Sequence, residues 1–187
     1  MSGPFAATAR LPRSGNAALA AGAFVQAAIG AEFVLAGLSK VVDADFPTQF
    51  RSFVQSSPGA KAGPLAGVLQ SLVLPNAALM AEVARWTELL GGTILLVAAL
   101  EVLRRRLAEP LGAQHAYEPL VALISSLAAF ALGGMSLSIY LIEGARLPMV
   151  NPGFAFTSPV AIELFLVPLA FCIAFLEFAR YTALRRQ

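Results

Sequence analysis

Four long apolar stretches constrain this 187-residue chain more than any other feature of its sequence. The clearest covers residues 119–142 and contains no Asp, Glu, Lys or Arg; the others cover 17–42, 77–103 and 160–179. About 20 helical residues cross the hydrocarbon core of a bilayer, and backbone groups in lipid must be hydrogen-bonded within each segment. The sequence therefore predicts an all-α integral membrane protein, a four-transmembrane-helix bundle.

Composition supports a membrane protein and limits the cofactors that the chain could bind. Hydrophobic residues make up 58% of the chain and charged residues 13%, which is about half the charged fraction of a typical soluble domain. A single cysteine, Cys172, and a single histidine, His115, exclude an internal disulfide, a thiolate zinc site and a bis-histidine haem. We expect no metal and no covalently bound cofactor, so any redox chemistry would use a diffusible or partner-held group.

Basic residues predict the orientation of the spans. They cluster before the first span, after the second and after the fourth: Arg10, Arg13, Arg104, Arg105, Arg106, Arg180, Arg185 and Arg186. This bias predicts a multi-pass protein of a bacterial-type plasma membrane, with cytoplasmic tails at 1–16 and 182–187 around a membrane domain at 17–181. The net charge of +2 is explained by these ends and does not indicate nucleic-acid binding. The first apolar stretch is longer than a signal peptide, so we interpret it as a span.

The two outer connections, 43–76 and 144–159, are expected to differ in structure. In the first, Asp45 is expected to cap a helix that begins at Phe46-Pro47 and places Phe50, Phe53 and Val54 on one face, as in an interfacial helix. Residues 56–64 have a turn composition, and residues 65–73 repeat apolar side chains at helical spacing before Pro75. In the second, residues 151–153 (NPG) predict a turn.

Charged residues inside the spans are the candidates for function, because such residues normally face the interior of a bundle. Glu82, Arg85 and Glu88 recur every three residues, so Arg85 is expected to reach both carboxylates. Counted from the ends of their spans, Glu32 and Glu88 have similar depths, which predicts that Glu32 joins them in one pocket. Trp86 would instead place Glu82 and Arg85 among the headgroups.

Two interpretations of this group remain open. In the first, it is an ion-pair network that fixes the helix register, as expected also for the helix-end pairs of Glu101 and Glu177 with nearby arginines. In the second, it is an outward-opening site for a substrate anion or a quinone headgroup. Lys40, Arg85 and Arg146 would then bind the substrate, and the catalytic residues Glu88 or Glu32 would take up protons.

Four short segments carry a resemblance to a known family: 36–40 (AGLSK), 88–92 (ELLGG), 56–59 (SSPG) and 74–76 (LPN). In these, the chain resembles the DoxX/DoxD family of small four-helix membrane proteins, in detail over about residues 25–105. The resemblance implies a DoxD-type subunit of a thiosulfate:quinone oxidoreductase, which pairs with a second small subunit and passes electrons to membrane quinone. Lys40 and Glu88 are the matched positions. A related thiol-maturation group needs paired cysteines, which this chain lacks.

A second class of function is a non-catalytic accessory subunit of a larger respiratory or photosynthetic membrane complex. Both interpretations predict contact with the lipid bilayer and with a second membrane subunit. A small-solute transporter is less favoured, because the sequence shows no internal repeat.

Overall fold

The computed structural model describes residues 13–108, 117–145 and 161–186, and these are helical with no strand. Four long helices are α1 (Arg13–Val42), α5 (Ala77–Ala108), α6 (Glu118–Ile142) and α7 (Glu163–Leu184). Between α1 and α5 lie the short helices α2 (Phe46–Ser56), α3 (Pro58–Ala62) and α4 (Ala66–Val68), followed by a π-helical turn at Leu69–Val73.

Each of the four long helices contains a segment long and apolar enough to cross a membrane: Leu19–Val42, Ala77–Arg104, Glu118–Ile142 and Glu163–Leu184. The four helices cover the four predicted apolar stretches, and α5 and α7 each continue five residues beyond the predicted ends at 103 and 179, to Ala108 and Leu184. The residues 182–184 predicted as part of a tail are therefore helical.

The long helices pack as two pairs, α1 with α5 and α6 with α7, which are joined by contacts between α5 and α6. A buried cluster in the centre takes side chains from all four, among them Phe33, Leu95, Leu132 and Ile173. Ser126 of α6 donates a hydrogen bond to the carbonyl of Ala174 in α7 at 2.8 Å, which fixes the second pair.

The α1–α5 pair is held at backbone contact by glycines. A Cβ atom on Gly37 would lie 2.5 Å from the Leu89 nitrogen, and one on Gly92 would lie 2.7 Å from the Val34 nitrogen. A Cβ on Gly30 would likewise lie 2.7 Å from the Leu96 nitrogen. Small residues at such positions are the usual means by which apolar helices approach closely. The three contacts fix the register of the two antiparallel helices.

The segment 43–76 packs against one end of the long helices, and we call it the cap segment. Val54 of α2 is fully buried beside Ala60, Leu69 and Ile142, the last from the end of α6. Gly59 lies directly against the carbonyls of Leu141 and Ile142, where a larger residue has no room. The cap segment therefore connects the end of α6 to α5, against which α2 packs.

Two local predictions for the cap segment are wrong. Asp45 makes no side-chain cap, because its backbone is helical (φ −88°, ψ −1°). The Asp43 carboxylate accepts hydrogen bonds from the Asp45 backbone nitrogen and the Gln49 side-chain amide, both at 2.9 Å, and α2 has no side-chain cap. Residues 56–64, expected to be a turn, include the helix Pro58–Ala62. The predicted turn at 151–153 lies outside the described residues.

We expect Gly37→Ala to destabilise the protein by about 1–3 kcal/mol, since the added methyl group would push α1 away from the Leu89 backbone. Thermal unfolding in detergent, followed by circular dichroism, measures the change. Gly22→Ala is the matched control in the same helix, because a Cβ at Gly22 would have no neighbour within 4 Å. Equal stability of the two variants would contradict the close contact.

Candidate functional site

The register set by the glycines brings the end of α1 against the second and third turns of α5. Gly37 of α1 is level with Leu89 of α5, and Val34 is level with Gly92. In the same antiparallel register, Val42 is level with Ala84 of α5. The first two turns of α5 therefore project about 10 Å beyond α1. The cap segment packs there through α2. Lys40, near the end of α1, is thus placed beside the buried face of α5.

Lys40 and Glu88 form an ion pair at this junction. The Lys40 Nζ donates to the Glu88 Oε2 at 2.5 Å. Glu88 is only 3% exposed, whereas the Lys40 side chain is 27% exposed. The Phe46 ring centroid lies 6.0 Å from the same Nζ, within reach of a cation–π interaction. A buried carboxylate with a partly accessible ammonium group can exchange a proton or attract a small anion.

Arg85 makes a separate pair with Glu82. Its Nη2 lies 2.5 Å from the Glu82 Oε1 and its Nε donates to the Oε2 at 2.8 Å, while the Trp86 indole donates to that Oε2 at 3.2 Å. The prediction that Arg85 bridges Glu82 and Glu88 is wrong. Six residues of helix separate the two carboxylates by about 120° around the axis. Glu88 is thereby directed to α1, and Glu82, with a side chain 40% exposed, is directed outward.

The predicted pocket shared by Glu32, Arg85 and Glu88 does not form. Glu32 is exposed, and the buried neighbours Phe33 and Gly37 take the face of α1 that meets α5. It also lies eight residues before Lys40, about 12 Å along the helix axis. The depth estimate failed because it assumed that α1 and α5 end at the same level. No ion pair or side-chain hydrogen bond of Glu32 occurs within the part of the chain described.

The other predicted charges fall into two groups. The helix-end pairs are confirmed, with Arg104 bound to Glu101 at 3.0 Å and Arg180 bound to Glu177 at 3.3 Å. Arg146, predicted to bind substrate, lies outside the described residues. Of the five residues proposed as one site, the structure therefore brings together Lys40 and Glu88.

Gln26 is a buried polar residue that the sequence reasoning missed. Its Nε2 donates to the Leu95 carbonyl at 3.2 Å and to the Ser125 hydroxyl at 3.0 Å, so one side chain joins α1, α5 and α6. The signal was present, because Gln26 is the single amide side chain in the apolar stretch 17–42. An amide in lipid needs partners, and they are found on neighbouring helices.

An apolar groove lies apart from the ion pair. An open groove of about 320 Å³ between α6 and α7 is lined by Phe130, Phe171, Phe175 and Phe178 with Ser126, Leu127 and Ala174. In the three described ranges no three His, Cys, Asp or Glu side chains are grouped as metal ligands. Every fully buried side-chain nitrogen or oxygen there has a hydrogen-bond partner.

We expect Lys40→Met to cost about 3–5 kcal/mol of stability, because it leaves the Glu88 carboxylate buried without its cation. Adding Glu88→Met should recover most of that loss, since the charge is then gone as well. Chemical or thermal unfolding of the single and double variants measures the coupling. Arg85→Met is the matched control and should cost about 0–1 kcal/mol, since Glu82 is partly exposed. Additive effects of the Lys40 and Glu88 substitutions would contradict the pair.

Comparison of the chain with protein-family models, with curated proteins and with solved structures finds no match.

Proposed function

We propose that this protein is a DoxX/DoxD-like component of a bacterial-type plasma membrane. In this proposal the four long helices form a transmembrane bundle with both termini in the cytoplasm, and the cap segment lies at the outer interface. The arginines at the C-terminal ends of α5 and α7 and the four apolar helices support that orientation. Trp86, exposed on α5 at the level of the end of α1, suits the headgroup region.

The observation that carries the proposal is the contact between Lys40 and Glu88. These are the two positions matched by the family resemblance, 48 residues apart in the chain, and they form the buried ion pair at the outer end of α1 and α5. A resemblance built from short motifs of common membrane residues gains weight when its two charged positions make one contact. Arg85 pairs with Glu82 and takes no part in the Lys40–Glu88 contact, so it has no role in this proposal.

The reaction proposed for this site is quinone-linked oxidation of a small sulfur anion such as thiosulfate. Two thiosulfate anions lose one electron each and join through a new S–S bond as tetrathionate, and the two electrons, with two protons taken from water, convert the quinone to a quinol. Lys40 would attract the anion through its accessible ammonium group, and Glu88 would transfer a proton to a quinone oxygen. The chain has one Cys and one His, so electrons would pass directly between substrates or through a group on a partner subunit.

The test is thiosulfate-dependent quinone reduction by the protein isolated in mild detergent with any subunits that co-purify. We expect activity in the parent and a loss of at least about 100-fold in Glu88→Gln, as for removal of a general acid–base group. Glutamine keeps an oxygen that can accept the Lys40 hydrogen bond, so the helix contact is preserved. Quinone reduction is followed by ultraviolet absorbance.

Glu82→Gln is the matched control, because it changes a carboxylate of the same helix that lies outside the Lys40 contact. It should retain the parent activity. Absence of thiosulfate-dependent reduction in the parent would overturn the oxidoreductase proposal. Parent-like activity in Glu88→Gln would overturn the role of Glu88 and leave the reaction to other residues.

A second candidate, a non-catalytic accessory subunit of a larger membrane complex, is favoured by one specific observation. The charged residues near the cap segment pair with one another, Lys40 with Glu88 and Arg85 with Glu82, as expected of contacts that hold helices in register. This candidate predicts stoichiometric co-purification with other subunits. It also predicts that Glu88→Gln leaves the activity of the complex unchanged.

A further inference from the structure

The groove between α6 and α7 is almost entirely apolar. Its volume is about 320 Å³, and the rings of Phe130, Phe175 and Phe178 line it with at least half of each side chain exposed. The polar side chain among its lining residues is that of Ser126, whose hydroxyl already donates to the Ala174 carbonyl at 2.8 Å. The groove thus offers no free side-chain hydrogen-bond donor, so the part of a ligand that lies in it must be apolar.

The groove is also narrow. Phe130 of α6 and Phe171 of α7 meet edge to face near the middle of α6, with ring centroids 5.5 Å apart, and bound it on that side. From Phe171 to Phe178 it follows α7 for about 10 Å, which gives a mean cross-section of about 30 Å². A helix with side chains is about 10 Å across and needs about 80 Å². The groove therefore suits a single hydrocarbon chain.

The same face of α7 leads from the groove to an arginine at the end of the helix. Phe171, Phe178 and Arg185 lie within about 40° of one another around the helix axis. The Arg185 Nη1 donates to the Tyr181 hydroxyl at 3.1 Å, and its guanidinium lies 5.8 Å from the centroid of that ring, one turn back towards the groove. The rings of Tyr181 and Phe178 are in turn 6.1 Å apart. Aromatic rings thus connect the groove to the cation.

Arg185 is exposed, and no carboxylate in the described ranges neutralises it. By contrast, Arg85, Arg104 and Arg180 each pair with a glutamate three residues earlier in the same helix. The groove begins about 10 Å and ends about 20 Å from Arg185 along the axis. One leaflet of the hydrocarbon core is about 15 Å thick, so a lipid with its headgroup at Arg185 would have its tail at the depth of the groove.

We infer that this groove holds an acyl chain of an anionic phospholipid whose phosphate binds Arg185. A guanidinium group donates paired hydrogen bonds to phosphate, and the Tyr181 contact leaves most of its N–H groups free to do so. A zwitterionic lipid has the same phosphate, but its own ammonium group opposes the attraction. The inference requires that α7 span the membrane, as its length and hydropathy allow. It does not depend on the Lys40–Glu88 chemistry or on the direction of the spans.

The test measures lipid contact at one position of the full chain through a single tryptophan. Trp86, the one tryptophan of the chain, is replaced by Phe, and Phe178→Trp places a reporter in the groove. Leu176→Trp is the matched control, because Leu176 is exposed at nearly the same depth but about 160° around α7. Both proteins are reconstituted in phosphatidylcholine vesicles that contain a small fraction of phosphatidylglycerol, with one or the other lipid brominated to quench tryptophan fluorescence.

Quenching should show at least about a fivefold preference for phosphatidylglycerol at Phe178→Trp, as expected for one cation at an anionic headgroup, and no preference at Leu176→Trp. Adding Arg185→Gln to the Phe178→Trp protein should abolish most of the preference. Arg186→Gln removes the same charge from the next residue, which lies about 100° further around the helix, and should keep more than half of it. Circular dichroism checks that each variant keeps the helical content of the parent.

Four results would overturn the inference. Equal preference at the two reporters would show that the groove does not select its lipid, and a preference unchanged by Arg185→Gln would remove the arginine from the site. Equal losses in Arg185→Gln and Arg186→Gln would indicate general attraction of anionic lipid to a basic helix end. Weaker quenching of Phe178→Trp than of Leu176→Trp by both brominated lipids would show that protein covers the groove.

Discussion

Backbone contact between α1 and α5 is the constraint on which the rest of the structure depends. Gly30 and Gly37 of α1 and Gly92 of α5 allow the two apolar helices to approach closely. A methyl group at any of these three positions would collide with the backbone of the other helix. Such a contact permits one register, since a shift by one residue would rotate larger side chains into the interface. That register places Lys40 at Glu88 and leaves the opposite side of α1 exposed. The positions of the polar contacts therefore depend on how the two apolar helices pack.

The helical class and the four long apolar helices were predictable, because a chain of this hydrophobicity needs long, internally hydrogen-bonded segments in lipid. The predicted ends match those of α1 and α6 to within four residues, whereas α5 and α7 each continue five residues further. Counting residues does not reveal the axial offset between neighbouring helices, because nothing in the sequence indicates that α5 begins beyond the end of α1. The shared pocket of Glu32, Arg85 and Glu88 failed for that reason, although each residue lies in the span where it was predicted.

The candidate site was predictable in part. Lys40 and Glu88 were singled out by resemblance and by charge, but their direct contact could not be derived, because their separation in space is set by the glycine register. Gln26 shows the opposite case, because a lone amide in an apolar stretch already predicts hydrogen bonds to neighbouring helices. Asp45 makes no side-chain cap at the start of α2 because its own backbone angles, which composition does not reveal, are helical.

The wide separation of Lys40 and Glu88 in the chain has a consequence for biosynthesis. They are 48 positions apart, so Lys40 is synthesised before the carboxylate that neutralises it. Until then the ammonium group must stay hydrated at the surface, where its long side chain can extend towards water. The second long helix then supplies the carboxylate, and Glu88 becomes buried while Lys40 stays partly exposed. Pairing of the two helices is thus a step that follows synthesis of the second, because the ion pair can form only then.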